Sequence, residues 1–173
     1  MTAPQRGLTP EFATALRETM LQGLSNEVQT TKKVLAAVPD AQRQFRLDPK
    51  ARTAGELCWH LASTDVQMLD EIADHKFTME PRFKEEPKTI AELVSWYDKQ
   101  MTRAIDRVRA MTPEQLLTPV DFLGAFNFPA VFYIGFVNNH SIHHRGQLAA
   151  YLRPLGSHVP SIYGGSADEP WKG

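Results

Sequence analysis

The chain has 173 residues, 42% of them hydrophobic, and nineteen Lys and Arg against twenty Asp and Glu give a formal net charge of −1. That length suits one domain, 1–173, with a core that needs no disulfide or structural metal, and the composition excludes a largely disordered chain. Scattered Lys and Arg lack the basic footprint of a nucleic-acid binder, and no apolar stretch is long enough for a membrane span.

Four long segments carry helical periodicity. The first is predicted to open at Thr9-Pro10-Glu11, a cap residue followed by proline, and to end before Pro39. Phe12, Leu16, Met20, Leu24, Val28, Leu35 and Val38 mark its apolar face. The second opens at Thr53-Ala54-Gly55-Glu56, a capping box in which Thr and Glu reciprocally satisfy free amides. Leu57, Leu61, Thr64, Met68 and Ile72 then follow one face. Cys58, the only cysteine, stands between Leu57 and Trp59 and reads as a buried, inert thiol. It excludes an intramolecular disulfide and fits a reducing cytoplasm, as does an N-terminus, Met1-Thr2-Ala3-Pro4, without a signal peptide's apolar run.

Residues 74–88, with Pro81 and Pro87, read as a connection of a length at which functional roles become common. A third helix opens at the capping box Thr89-Ile90-Ala91-Glu92, with Ile90, Leu93, Val94, Tyr97, Met101, Ala104, Ile105 and Val108 as its stripe. Thr112-Pro113-Glu114-Gln115 starts a short extra turn, and 119–128 forms either a small hairpin or a crossover loop. The fourth helix runs from near Pro129 to about Leu155 and stops at Gly156. It is apolar around most of its circumference and belongs in the middle of the protein. The tail from Ser157 to Gly173 is expected to be an extended wrap. These elements imply an all-α fold, a four-helix bundle with a long connection between helices 2 and 3 and an extended C-terminal tail. The longer connections permit parallel neighbours.

His140 and His144 are four residues apart, so both imidazoles lie on one helical face, along the stripe of Tyr133, Val137, Leu148 and Tyr151. A third ligand is needed for a competent site, and His60 on the second helix is the best candidate. Burial disfavours the imidazolium at such positions, and neutral imidazole is the form that binds metal. Three nitrogen ligands suit zinc, nickel or copper and leave a coordination position open for water or substrate. The plainer alternative is core histidines hydrogen-bonded to backbone carbonyls or carboxylates. Ser141 stands where a zinc protease carries its glutamate, which removes that reading.

Other polar residues are assigned as follows. Gln147 orients a ligand as a second-layer partner or makes a helix-packing hydrogen bond. His143 is exposed or supports the ligands, and His75 and His158 are surface residues. Glu56 belongs to its capping box, and Asp65 reads as an ordinary exposed carboxylate. Arg145 is expected to pair with a carboxylate on another helix, and Gly146, costly in mid-helix, to mark a close helix approach.

Asn139-His140, His144-Arg145-Gly146-Gln147-Leu148, the earlier Glu56-Leu57-Cys58-Trp59-His60-Leu61 and the tail Pro160-Ser161-Ile162-Tyr163-Gly164 together resemble the DinB-like (YfiT-type) metalloprotein superfamily. The resemblance implies a four-helix bundle of unusual connectivity, a zinc or nickel ion on His60, His140 and His144, and a homodimer. Characterised relatives include S-transferases that use bacillithiol or mycothiol and a mycothiol-dependent maleylpyruvate isomerase. The leading expectation is therefore a metal-dependent enzyme that activates a low-molecular-weight thiol against a small-molecule electrophile. A metal-assisted hydrolase and a non-catalytic metal-binding dimeric bundle stand beside it.

Overall fold

The structure, a computed structural model, describes residues 7–171. Met1 to Arg6, read above as lacking a leader, and the last two residues of the tail lie outside the described residues. The fold is mostly helical: α1 (Pro10–Ala36), α2 (Ala54–Asp74), α3 (Ile90–Arg109), α4 (Pro113–Leu117) and α5 (Tyr133–Leu152). A two-stranded hairpin, β1 (Pro119–Phe122) and β2 (Phe126–Pro129), corrects the all-α expectation. Thr9, Thr53, Thr89 and Thr112 cap their helices as their sequences predict, the last three through complete capping boxes.

The four long helices pack around one contiguous core in the cyclic order α1–α3–α2–α5, so the consecutive helices α1 and α2 are diagonal. Paired side chains give the directions. Trp59–Trp96, Asp65–Tyr97 and Asp70–Arg103 ascend together, so α2 and α3 run parallel. Tyr151–Arg52, His144–His60 and His140–Asp65 descend against each other, so α2 and α5 are antiparallel. Parallel neighbours require a return strap, and residues 75–89 supply it. That strap is stitched to α2 by Gln67, whose amide donates to Glu80 O (3.0 Å) and accepts from Arg82 N (3.0 Å).

Two stripes differ from expectation. On α1 the buried line is Ala13, Arg17, Leu21, Leu24, Val28, Thr31 and Leu35, while Phe12 is 54% exposed. The four-residue step drifts around a 3.6-residue helix, and the contact line corrects it with steps of three. On α2 the buried arc is wider than one stripe and includes Cys58, Ala62, Asp65, Val66 and Leu69, because α3 and α5 flank the helix on two sides. On α5 the expected stripe is half right. Tyr133, Val137, Leu148 and Tyr151 are buried, but Ser141 and Arg145 hold the deepest polar positions and His140 and His144 sit at the edge.

The hairpin turns through Leu123 and Gly124, both at positive φ (56° and 76°), with Asp121 accepting from Gly124 N at 3.0 Å. Tyr133 locks it to α5, donating to Val120 O (2.7 Å) and accepting from Phe128 N (3.1 Å). α5 itself begins at Tyr133, after a single turn of 3-10 helix over Ala130–Phe132.

Candidate metal centre

α2 and α5 face each other where His60 meets His140 and His144. His60 Nε2 lies 3.1 Å from His144 Nε2 and 3.4 Å from His140 Nε2, and the three nitrogens lie within 4.8 Å of one another. Two ligands on a tetrahedral zinc at about 2.0–2.1 Å would be about 3.3 Å apart, so these separations fit a shared cation. Among the described residues no other group of three His, Cys, Asp or Glu side chains converges in this way.

Each ring is oriented from behind by an oxygen. His140 Nδ1 lies 2.7 Å from Asp65 Oδ1, His144 Nδ1 3.0 Å from Gln147 Oε1, and His60 Nδ1 3.3 Å from Thr64 Oγ1. A carboxylate and an amide oxygen only accept, so Nδ1 carries a proton in His140 and His144, which leaves Nε2 as the nitrogen able to ligate in each. The Thr64 hydroxyl suits either tautomer of His60. It can accept from Nδ1–H and leave a third lone pair facing the first two, or donate to Nδ1 while Nε2–H bonds to His144. With three lone pairs converging, a cation between them would satisfy all three at once.

Burial lowers the His60 pKa to about 4, assisted by the positive charge of Arg52 and by the repulsion that imidazoles so close together would suffer if charged at once. Burial also lowers that of His144, against the raising effect of Gln147. Both rings are therefore neutral at pH 7, the form able to ligate.

Asp65 is not the exposed carboxylate that its sequence suggested. Its side chain is 0% exposed, and its second oxygen accepts from the Tyr97 hydroxyl at 2.9 Å. Burial beside this carboxylate holds the Tyr97 phenol well above its usual range and keeps it a donor. A sequence signal for this role existed: Leu57, Leu61, Asp65 and Leu69 recur every four residues, placing one acid on an apolar line.

The other expectations divide. Glu56 serves its cap, and Arg145, 1% exposed, pairs with Glu27 of α1 at 2.5 Å and donates to Tyr163 at 2.5 Å. His143 is exposed and outside the cluster, and His158 pairs with Glu169 at the surface. His75 ends α2 in a left-handed conformation and bonds to Gln115 O at 2.7 Å. Gly146 is corrected: a Cβ there would meet nothing within 4 Å, so no helix approaches it.

His60 and His140 open onto a cleft of about 710 Å3 between α2 and the strap, walled by Trp59, Phe77, Phe83, Phe122 and Phe136. That volume is in the range of small-molecule sites.

Fold and site together define a helical protein with a three-imidazole centre beside an apolar cleft. The chain belongs to the DinB superfamily, whose sequence pattern it matches over residues 24–148, a span containing all three histidines. It is 24% identical over 146 residues to the uncharacterized protein YrdA of Bacillus subtilis strain 168, covering 84% of this chain and 86% of that one. A DinB-like protein of Bacillus cereus superposes with a TM-score of 0.72 at 26% identity, over 84% of this chain and 97% of the other. The DinB-like protein YjoA of Bacillus subtilis gives 0.69 at 17% identity, over 83% and 97%, a likeness of fold.

Proposed function

We propose that the protein is a metal-dependent enzyme of the thiol S-transferase type, in which His60, His140 and His144 hold a zinc or nickel ion. The observation that carries this reading is the convergence of three Nε2 atoms whose rings are each fixed from behind by an oxygen. A divalent ion held there would lower the pKa of a thiol or water in its open position. Asp65 keeps His140 in the ligating tautomer, Gln147 does the same for His144, and the aromatic walls of the cleft exclude water from an apolar electrophile.

The acid–base inventory favours thiol transfer over hydrolysis. Of the carboxylates beside the histidines that could take a proton from a bound water, Glu56 is engaged in its cap and Asp65 is shared between His140 and Tyr97. The thiol must come from a co-substrate, because Cys58 is fully buried and burial pushes its pKa to about 12. No helix among the described residues is long and apolar enough to cross a membrane, and we assign the protein to the cytoplasm, where such thiols are reduced. We take the working bundle to be a homodimer, checkable by light scattering.

The test combines elemental analysis with turnover. About one zinc or nickel per chain is expected, lost in a His140→Ala/His144→Ala double variant. A model electrophile should be consumed with bacillithiol or mycothiol by the loaded protein and by its Cys58→Ala variant alike. Full metal occupancy with no turnover by either thiol would overturn the transferase reading while leaving the metal centre. Ester cleavage without thiol would establish the hydrolase instead.

A further inference from the structure

α2 turns a second stripe toward the cleft. His60, Thr64, Gln67 and Glu71 recur at steps of three and four and all line it. At 1.5 Å per residue, the eleven residues from His60 to Glu71 place these two side chains about 16 Å apart along the cleft. Between them Met68 on α2 and Phe77 and Phe83 on the strap give the cleft an apolar wall beside Thr64 and Gln67.

Glu71 is 3% exposed, an unusual place for a carboxylate. Its Oε1 accepts from Gln67 Nε2 at 2.8 Å and from Thr78 N at 3.2 Å. Among the described residues nothing donates to its Oε2. Arg82, whose charge it feels, is already held by Asp74 at 2.5 Å and Asp70 at 3.3 Å. Nor is Oε2 sealed in protein, since the one sealed side-chain polar atom without a partner among the described residues is Asn138 Oδ1. The free oxygen of Glu71 therefore borders the cleft. Burial raises the pKa of this carboxyl, the sign of a group short of compensation.

The geometry points to a donor-binding subsite at this end of the cleft: Glu71 Oε2 accepts a hydrogen bond from an ammonium or other N–H group of an elongated, mostly apolar substrate whose far end reaches the histidines. The last clause rests on the metal-centre reading; the subsite itself does not. The substrate class that results is an amphiphilic amine or N–H-bearing electrophile about as long as the cleft, rather than a fatty acid or an anion.

Octylamine, octan-1-ol and octanoate, titrated separately against the quenching of Trp59 in the cleft wall, test this without knowledge of the natural substrate. Octylamine should bind about 10-fold or more tightly than octanoate, the scale of one charge-assisted hydrogen bond. Glu71→Gln should erase most of that preference and leave octan-1-ol unaffected, and Glu71→Asp, which withdraws the carboxylate, should weaken it. The wild-type ranking decides the matter even where a variant fails to fold. Equal binding of amine and acid, or a preference that survives Glu71→Gln in full, would overturn the subsite. Running each titration on zinc-loaded and chelator-treated protein separates the two readings. A Glu71-dependent amine preference in a protein that takes up no metal would uphold the subsite and remove the metal centre.

Discussion

Replacing Asp65 isolates what one buried carboxylate does for the histidine cluster. In Asp65→Asn the amide still offers one oxygen to His140 Nδ1–H, while its NH2 can donate to a reversed Tyr97 hydroxyl, so the rings stay in place. Only the negative charge is lost, and it is that charge which strengthens His140 as a donor to a cation. Replacement of such a supporting group costs about 10- to 100-fold in metal affinity, about 1.4–2.7 kcal/mol, and Asp65→Asn should fall near the lower end. Asp65→Leu removes both acceptors. It should fall near the upper end and, in addition, destabilise the metal-free fold by about 1–3 kcal/mol, because the fully buried Tyr97 hydroxyl loses its acceptor. Tyr97→Phe leaves the His140 contact intact and should change metal affinity least of the three. Zinc affinity is read by competition with a chromophoric chelator, and the stability of the metal-free proteins by urea unfolding. An Asp65→Leu protein that folds and binds zinc like wild type would refute the claim that this carboxylate holds His140 for a metal.

Arg145→Leu should cost about 3–5 kcal/mol in urea unfolding, since it leaves Glu27 and the Thr31 hydroxyl without their buried cation; a loss under 1 kcal/mol would show that the pair contributes little. Gly146→Ala should raise stability by about 1 kcal/mol, because the position is helical and a Cβ there meets nothing within 4 Å, and a lowered melting temperature would contradict this. Metal-free protein should lose stability as the pH falls from 6.5 through about 4. His60 is neutral when folded and takes up a proton more readily when unfolded, so the unfolded state binds more protons across that window. His60→Gln should flatten this part of the pH profile, and an unchanged slope would assign it to other groups.

What could be read from the chain was what is local. A capping box occupies four consecutive residues, and two of them fixed the starts of α2 and α3 to the residue, while Thr112-Pro113-Glu114-Gln115, read as opening a short turn, proves to be a third at α4. The spacing of His140 and His144 is likewise a property of one helix. His60 could be singled out only as a polar residue beside an apolar stripe, and its meeting with the other two depends on α2 and α5 lying antiparallel, which no segment encodes alone. Asp65 was misjudged because burial on α2 is decided by two neighbours at once, Tyr97 from α3 and His140 from α5. Gly146 was misjudged for the opposite reason: an exposed glycine and a crowded one look the same in a sequence. The hairpin strands have four residues each, too few for alternation to separate them from a loop, and it is the aromatic seat around Tyr133 that holds them.

The diagonal placement of α1 and α2 has a consequence for how the protein is made. Most helical proteins can begin to fold by closing a hairpin of consecutive helices, but here the first two have little to hold each other with until α3 and α5 arrive. His60 and His140 are 80 residues apart in the chain. At a synthesis rate of about 5–20 residues per second, His140 joins the nascent chain about 4–16 s after His60. During that interval α2 carries a lone imidazole, and the side of its apolar arc that faces α5 has no partner. The three-imidazole cluster is thus one of the late products of biogenesis, complete only once α5, which supplies two of its three nitrogens, has packed against α2.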